Sequence, residues 1–314
     1  MSFSRDIADY PEGIILPVDK PYRWTSADVI RKLKYAAIRH FGKKNLKVGH
    51  AGTLDPLATG VLLVCIGNAC KRAQELQDHD KEYIARIRFG ATTPSYDLEK
   101  EVDRSFPYAQ VTADAVRAAL PSFVGEQEQV APLFSAKSVD GVRAYELARK
   151  LYRSGRQAEL DAAALETLHR SRITISALEL LDFTDSSSAG RVGVPESSLR
   201  DPSHAPRSSS ACCGPLPLME PRVATDSGTP TLPAERALIT ASSRIHVADT
   251  SGMGLPEAVV RIACSKGTYI RAFARDLGEA LGSGAHLSGL IRSRSGAFRV
   301  EDALSVEQAL ALLA

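Results

Sequence analysis

Gly49-His50-Ala51-Gly52-Thr53-Leu54-Asp55-Pro56-Leu57-Ala58-Thr59-Gly60 runs straight into the apolar stretch Val61-Leu62-Leu63-Val64-Cys65-Ile66. It is a loop punctuated by glycine, with a single carboxylate, Asp55. Proline biases the residue before it away from helical conformations, so Asp55 is expected extended, its side chain projecting from the loop. Glycines at 49, 52 and 60 permit tight turns and let a ligand approach the backbone closely. The same letters carry a second reading, in which Asp55 caps a helix whose first residue is Pro56. Spacing alone leaves both open.

Composition sets the bounds. With 314 residues, 44% hydrophobic and 24% charged, the chain has the make-up of a globular protein with a substantial core, in one large domain or two ordinary ones. No run is long enough to span a membrane, and Met-Ser-Phe-Ser-Arg-Asp-Ile-Ala-Asp at the N-terminus lacks a secretory apolar core. The expectation is a cytoplasmic protein with no membrane partner. Five cysteines, an odd number, suggest reduced thiols rather than a disulfide framework. Cys65 and Cys70 are too far apart for a zinc knuckle, and Cys212-Cys213 are adjacent, so no metal is assigned. A net charge of +2 permits RNA binding through a local basic patch without demanding it.

Two compositional regimes divide the chain. Between Thr184 and Thr268 there is no Phe, Tyr or Trp, and residues 185–233 hold 10 serines and 8 of the 17 prolines. Such a segment buries too little apolar surface to offset ordering entropy, so 184–256 is expected to be a largely disordered insertion. It interrupts a domain formed by 1–183 and 257–314. Within that domain Thr25 or Ser26 caps a helix carrying Val29, Ile30, Leu33 and Ala37, ending near His40. Tyr83-Ile84-Ala85-Arg86-Ile87-Arg88-Phe89 alternates as a strand, with Tyr83, Ala85, Ile87 and Phe89 on one face. Ile173–Ile175 and Val259–Cys264 are further strands. Helices are expected at 112–121, 144–154 and 268–281, and Ser305-x-x-Gln308 is a capping box opening Val306–Leu313. Strands and helices without regular alternation suggest an α+β fold.

The opening stretch, continued through Val61-Leu62, resembles the signature of the TruB-type tRNA pseudouridine synthases, with the catalytic aspartate on Asp55. Three more segments resemble that family in the same order. They are Asp19-Lys20-Pro21 with Trp24-Thr25-Ser26, then Lys81-Glu82-Tyr83-Ile84-Ala85, then Cys264-Ser265-Lys266-Gly267-Thr268-Tyr269-Ile270-Arg271. The resemblance covers roughly residues 12–183 and 257–300. It implies the pseudouridine synthase fold: a mixed, largely antiparallel sheet with flanking helices and a central active-site cleft. It also implies a short form of the family, because no residues remain after the last helix for a C-terminal PUA-type RNA-binding domain.

Pseudouridine formation breaks the C1′–N1 bond of uridine, turns the base and joins C1′ to C5. Nothing is oxidised or imported, so neither cofactor nor metal is expected. The resemblance implies Asp55 as nucleophile, and leaves open whether it attacks C1′ or C6 or assists an elimination. Arg271 would keep that carboxylate ionised. Tyr83 would stack on the flipped base and is a candidate for the C5 proton step. Tyr269, His50 and Leu290 would form the nucleotide pocket, with Lys20 and Pro21 supporting the loop. Tyr269 and Arg271 share a side only if the chain is extended there; a helix would set them about 200° apart.

RNA contacts are expected from Lys43, Lys44, Lys47, Lys71, Arg72 and the run Arg143, Arg149, Lys150, Arg153, Arg156. That run follows Ala131-Pro132-Leu133-Phe134-Ser135-Ala136-Lys137, which resembles the family's RNA-clamping insertion. Two positions depart from the pattern: Arg23 stands where the N-terminal motif usually has glycine, and Ser138 replaces a basic residue. The function implied is a monomeric isomerase acting on uridine 55 in the T-arm of tRNA. A guide-RNA-dependent subunit and a non-catalytic tRNA chaperone are the alternatives.

Overall fold

The computed structural model describes residues 3–132, 134–135, 138–139, 142–154, 170–186 and 245–314. Of the expected insertion, 187–244 lies outside the described residues. Strand β1 (Ile14–Lys20) and the short β2 (Val48–His50) both pair antiparallel with β3 (Ala58–Ile66). β3 is the apolar run that follows Asp55, and it is buried almost throughout. Val61, Leu63 and Cys65 pack with Ala51, Ala69 and Leu76, while Leu62, Val64 and Ile66 are equally enclosed. A strand covered on both faces reads as a continuous apolar run rather than an alternating one.

That burial decides between the two readings of Asp55-Pro56. The Ala58 amide donates to the Asp55 carbonyl at 3.1 Å, closing a turn with proline in its second position. The chain enters a strand and not a helix. Asp55 is therefore no helix cap.

Helix α1 (Ser26–Phe41) lies against β2 and β3. Thr25, not Ser26, is its cap: its side chain accepts from the Asp28 amide while the Asp28 carboxylate accepts from the Thr25 amide, and Gly42 ends the helix at φ 62°. Val29, Leu33 and Ala37 are fully enclosed, as their spacing requires.

The remaining strands are β4 (Lys81–Phe89), β5 (Ala91–Thr92), β6 (Arg104–Ser105), β7 (Gly125–Gln129), β8 (Ser138–Val139), β9 (Val142–Arg143), β10 (Ser171–Thr184), β11 (Glu257–Cys264), β12 (Ala285–Ser295) and β13 (Phe298–Arg299). Among the described residues the main sheet runs β1-β3-β12-β4-β11-β10-β7. Its pairings are antiparallel except β3 with β12, where Leu290, Ile291 and Arg292 lie parallel to Ala58, Thr59 and Gly60. The sheet is thus mixed and largely antiparallel, and the fold is α+β.

Helices α2 (Ala73–Asp78), α3 (Ala113–Ala119), α4 (Ala144–Arg153), α5 (Ile270–Ala280) and α6 (Val306–Leu312) complete the α-helices among the described residues. α6 opens with the expected capping box at Ser305 and Gln308. Ile270, Phe273, Ala274 and Leu277 of α5 join Ala85, Ile87, Phe89, Val260, Ile262 and Leu287 of the sheet in the main core. Each large side chain enclosed there contributes about 1.5–3 kcal/mol of transfer free energy.

The body resumes earlier than composition suggests. Ala248, Thr250 and Leu255 are buried, the Ala248 amide donates to the Leu98 carbonyl at 2.8 Å, and Arg88 reaches Thr250 Oγ1 at 2.7 Å. Residues 245–256, assigned to the insertion for want of aromatics, belong to the folded body because small side chains and backbone hydrogen bonds suffice to seat them. No helix among the described residues is long and apolar enough to cross a membrane.

Candidate active site

The loop before β3 presents Asp55 with its side chain 39% exposed. Three buried side chains from different elements hold the backbone around it. Ser26, at the start of α1, accepts from the Leu54 amide at 3.0 Å and donates to the Leu54 carbonyl at 3.2 Å. Lys20, at the end of β1, donates to the Pro56 carbonyl at 3.1 Å and to Trp24 and Pro21 carbonyls at 2.6 and 3.0 Å. Arg292, on β12, donates to the carbonyls of Val61 and Gly52 at 2.7 and 3.1 Å. Burial pulls the Lys20 ammonium down to about 7, although the charges of Asp55 and Asp19 oppose it.

Arg271 meets the exposed end of Asp55 with two donors, Nε at 2.9 Å from Oδ2 and Nη2 at 3.1 Å from Oδ1. It is 5% exposed, and its other hydrogens go to the carbonyls of Ser95 at 3.1 Å and Phe134 at 2.9 Å. Burial alone would weaken the guanidinium's hold on its proton, but the carboxylates of Asp55, Asp97 and Glu99 overcome that and keep it charged.

Asp97 approaches Arg271 at 3.8 Å, too far for a hydrogen bond. Its carboxylate instead accepts from Ser95 Oγ at 2.6 Å and from the Glu99 amide at 2.9 Å. One guanidinium shared among three carboxylates serves best the one it touches. Burial therefore pushes the Asp97 carboxyl up, Arg271 notwithstanding, and burial with the charge of Asp97 pushes Glu99 up to about 7.

Asp55, Asp97 and Arg271 line an open cleft, whose other walls include Leu57, Leu98, Leu287 and Leu290. Charge at one end and apolar walls at the other suit a group that is flat, uncharged and held near a carboxylate. Leu290, one of the expected site residues, is among these walls.

The remaining expected site residues surround the loop without lining this cleft. Tyr83 is partly buried against the main core and faces Arg292 across the β4–β12 pair. Burial raises its hydroxyl, the charge of Arg292 opposes that, and Asp55 is near enough to act on it. His50 ends β2 half-buried, its Nδ1 buried and without a partner among the described residues; burial, helped by Arg292, disfavours its protonation. Tyr269 precedes α5 in an extended conformation (φ −97°, ψ 109°), so the helix begins between it and Arg271. Gln129 fixes it, accepting from the Tyr269 amide at 2.8 Å and donating to its carbonyl at 3.2 Å.

Of the expected RNA contacts, Lys43, Lys44, Lys47 and Lys71 are exposed. Arg72 pairs with Glu75 at 2.8 Å. The side chains of Arg143, Arg149 and Arg153, and residues Lys137 and Arg156, lie outside what is described. Arg23 sits at φ 62°, the left-handed region where glycine is at ease, and its Nη2 donates to the Ile245 carbonyl at 2.8 Å.

Sequence reasoning did not single out Ser26 as a loop anchor, nor Asp97, Glu99 and Arg292. Asp97 and Glu99 had one signal, two acids in the otherwise uncharged run Ser95-Tyr96-Asp97-Leu98-Glu99. Arg292 had none.

Residues 39–194 match the family described as TruB family pseudouridylate synthase, N-terminal domain. Proteins named tRNA pseudouridine synthase B are similar over nearly the whole chain. That of Phocaeicola vulgatus is 42% identical over 95% of this chain and 92% of its own length, and that of Bacteroides thetaiotaomicron 40% over the same shares. That of Deinococcus radiodurans is 33% identical over 93% of this chain and 77% of its own. A crystal structure of a Cbf5-Nop10-Gar1 complex contains a chain alike in fold, with TM-score 0.53 and 20% identity. This chain spans 56% of that one.

Proposed function

The chain belongs to the TruB family of pseudouridylate synthases, and from that premise we propose that it isomerises uridine 55 in the T-arm loop of tRNA to pseudouridine. The observation that carries the reading is the Asp55–Arg271 pair at the charged end of an apolar-walled cleft. A carboxylate held by a two-pronged cation stays ionised while one side remains open to substrate.

The target base is stacked in the RNA and must be flipped out, at a cost of a few kcal/mol. Leu290, Leu287 and Leu57 supply the apolar surface that receives it. Asp55 acts as the nucleophile, at C1′ or C6 or by assisting an elimination. The C1′–N1 bond breaks, the base turns, and C1′ joins C5 as any bond to Asp55 is released; the C5 proton leaves, with Tyr83 the candidate for that last step, and N1 ends protonated. Atoms balance without a co-reactant. The apolar walls hold the detached base against escape, while Arg271 keeps Asp55 aimed.

Lys43, Lys44, Lys47 and Lys71 provide phosphate contacts for the arm. The protein works as a monomer in the cytoplasm. The test is release of tritium from tRNA labelled at uridine C5, by purified protein with no guide RNA. Release of one equivalent supports the reading. No release alone, with release on adding a guide RNA, would favour the guided subunit; binding without release under either condition would favour the chaperone.

A further inference from the structure

Arg292 is 2% exposed, among the most deeply buried large side chains of the protein. Among the described residues its guanidinium makes no ion pair with a carboxylate. Its donors go chiefly to main-chain carbonyls, Nε to Val61 at 2.7 Å, Nη2 to Gly52 at 3.1 Å, and Nη1 to Thr53 at 3.5 Å, the outer edge of hydrogen-bond reach, and the guanidinium also acts on the Tyr83 hydroxyl. Burying a cation without a counter-ion is expensive, and an apolar residue would serve packing at less cost. What the guanidinium does that an apolar side chain cannot is grip Gly52 and Thr53, the residues just ahead of Leu54 and Asp55.

The site that makes this grip possible is built for it. β12 runs parallel to β3 with Arg292 opposite Gly60. Gly60 has φ 98°, and a Cβ there would lie 2.3 Å from the Arg292 carbonyl oxygen. Only glycine admits the strand so close, and the closeness lets the side chain reach beneath the loop. Lys20 holds Pro56 from the other side and Ser26 holds Leu54 between them. Among the described residues no other hydrogen bond holds residues 52 and 53. Arg292 also faces Tyr83 across the sheet and stands two residues from Leu290 on the cleft wall.

We propose that Arg292 is a positioning residue for Asp55, fixing the loop from Gly52 to Leu54 so that the carboxylate sits where the flipped nucleotide presents its reacting carbon. The inference rests on the proposed isomerase activity. It adds a second buried arginine, one acting through the backbone and not on the carboxylate itself.

Arg292→Lys keeps the charge and most of the stem but loses the fork that spans separate carbonyls. Turnover of guide-free tRNA by the wild-type protein is measured first, and its absence would refute the isomerase reading itself. Given wild-type turnover, Arg292→Lys should lower kcat about 100-fold, the effect of a misplacement of roughly 1 Å. KM and the Kd for tRNA should stay within about threefold. Amide exchange should quicken at Leu54 while amides of β4 and β11 keep their protection. A kcat within threefold of wild type would overturn the proposal, and so would exchange that quickens evenly across the sheet, which marks a role in the fold alone. Should Arg292→Lys fail to fold, Arg292→Gln, which keeps a donor to a carbonyl without the fork, is read by the same measurements, and a kcat within threefold of wild type would overturn the proposal.

Discussion

Arg271 reaches Asp55 across 216 residues of sequence and binds both of its oxygens, Nε at 2.9 Å and Nη2 at 3.1 Å. Two bonds from one planar group fix the direction of the carboxylate as well as its charge, which a lysine could not do. The same guanidinium also donates to the Phe134 carbonyl, so the segment leading into β8 and the site share an anchor.

Replacing Asp55 by Asn preserves size and most contacts but removes the proposed nucleophile. Tritium release should fall to background while tRNA affinity changes by less than about threefold, under ~0.7 kcal/mol. Release clearly above background from the variant would rule out Asp55 as the nucleophile.

Arg271→Lys keeps a positive charge and loses the two-pronged grip. It should cost at least about 100-fold in kcat/KM, or ~2.7 kcal/mol of transition-state stabilisation. Arg271→Met should cost more, and it should also destabilise the fold by roughly 3–5 kcal/mol, because Asp97 is left buried beside no cation. If Lys restored most of the activity lost with Met, charge and not geometry would be what Arg271 supplies.

Glu99 gives a pH signature. Its carboxyl is pushed up to about 7 by burial and the charge of Asp97, from an unfolded value near 4.5. A folded-state pKa above the unfolded one means that stability from this group is present below pH 4.5 and is lost as pH rises toward 7. Glu99→Gln is neutral throughout. It should therefore match wild type in urea at pH 4.5 and be the more stable protein at pH 8. Equal midpoints at both pH values, or the opposite order at pH 8, would refute this assignment.

Recognition through exposed lysines around the loop predicts steep salt dependence and a substrate limited to the tRNA elbow. A T-arm stem-loop should be modified nearly as well as whole tRNA, and an unstructured oligonucleotide of the same sequence poorly. The comparison is kcat/KM for stem-loop against full-length tRNA. A preference of a hundredfold or more for the full molecule, ~2.7 kcal/mol, would mean that a further surface grips the acceptor stem.

What the sequence determined by itself was whatever depends on residues close together in the chain. The cap at Thr25 or Ser26, the helix end near His40, the alternation of β4 and the capping box at Ser305 and Gln308 are local, and local propensities agreed with the fold. The loop around Asp55, and Arg271 as its partner, were legible through family resemblance, since no spacing rule links positions 216 residues apart. Tertiary structure alone decided the rest. Whether Asp55-Pro56 opened a helix or a strand depended on β3 being enclosed on both faces as an interior strand of a sheet. Residues 245–256 joined the body through backbone bonds that composition does not register. Arg292 gained its meaning only when β12 came to lie parallel to β3 with Gly60 opposite, bringing a guanidinium under a loop some 240 positions earlier. A buried charge held by main-chain carbonyls leaves no pattern in the chain, because every residue has a carbonyl and only the fold says which ones converge.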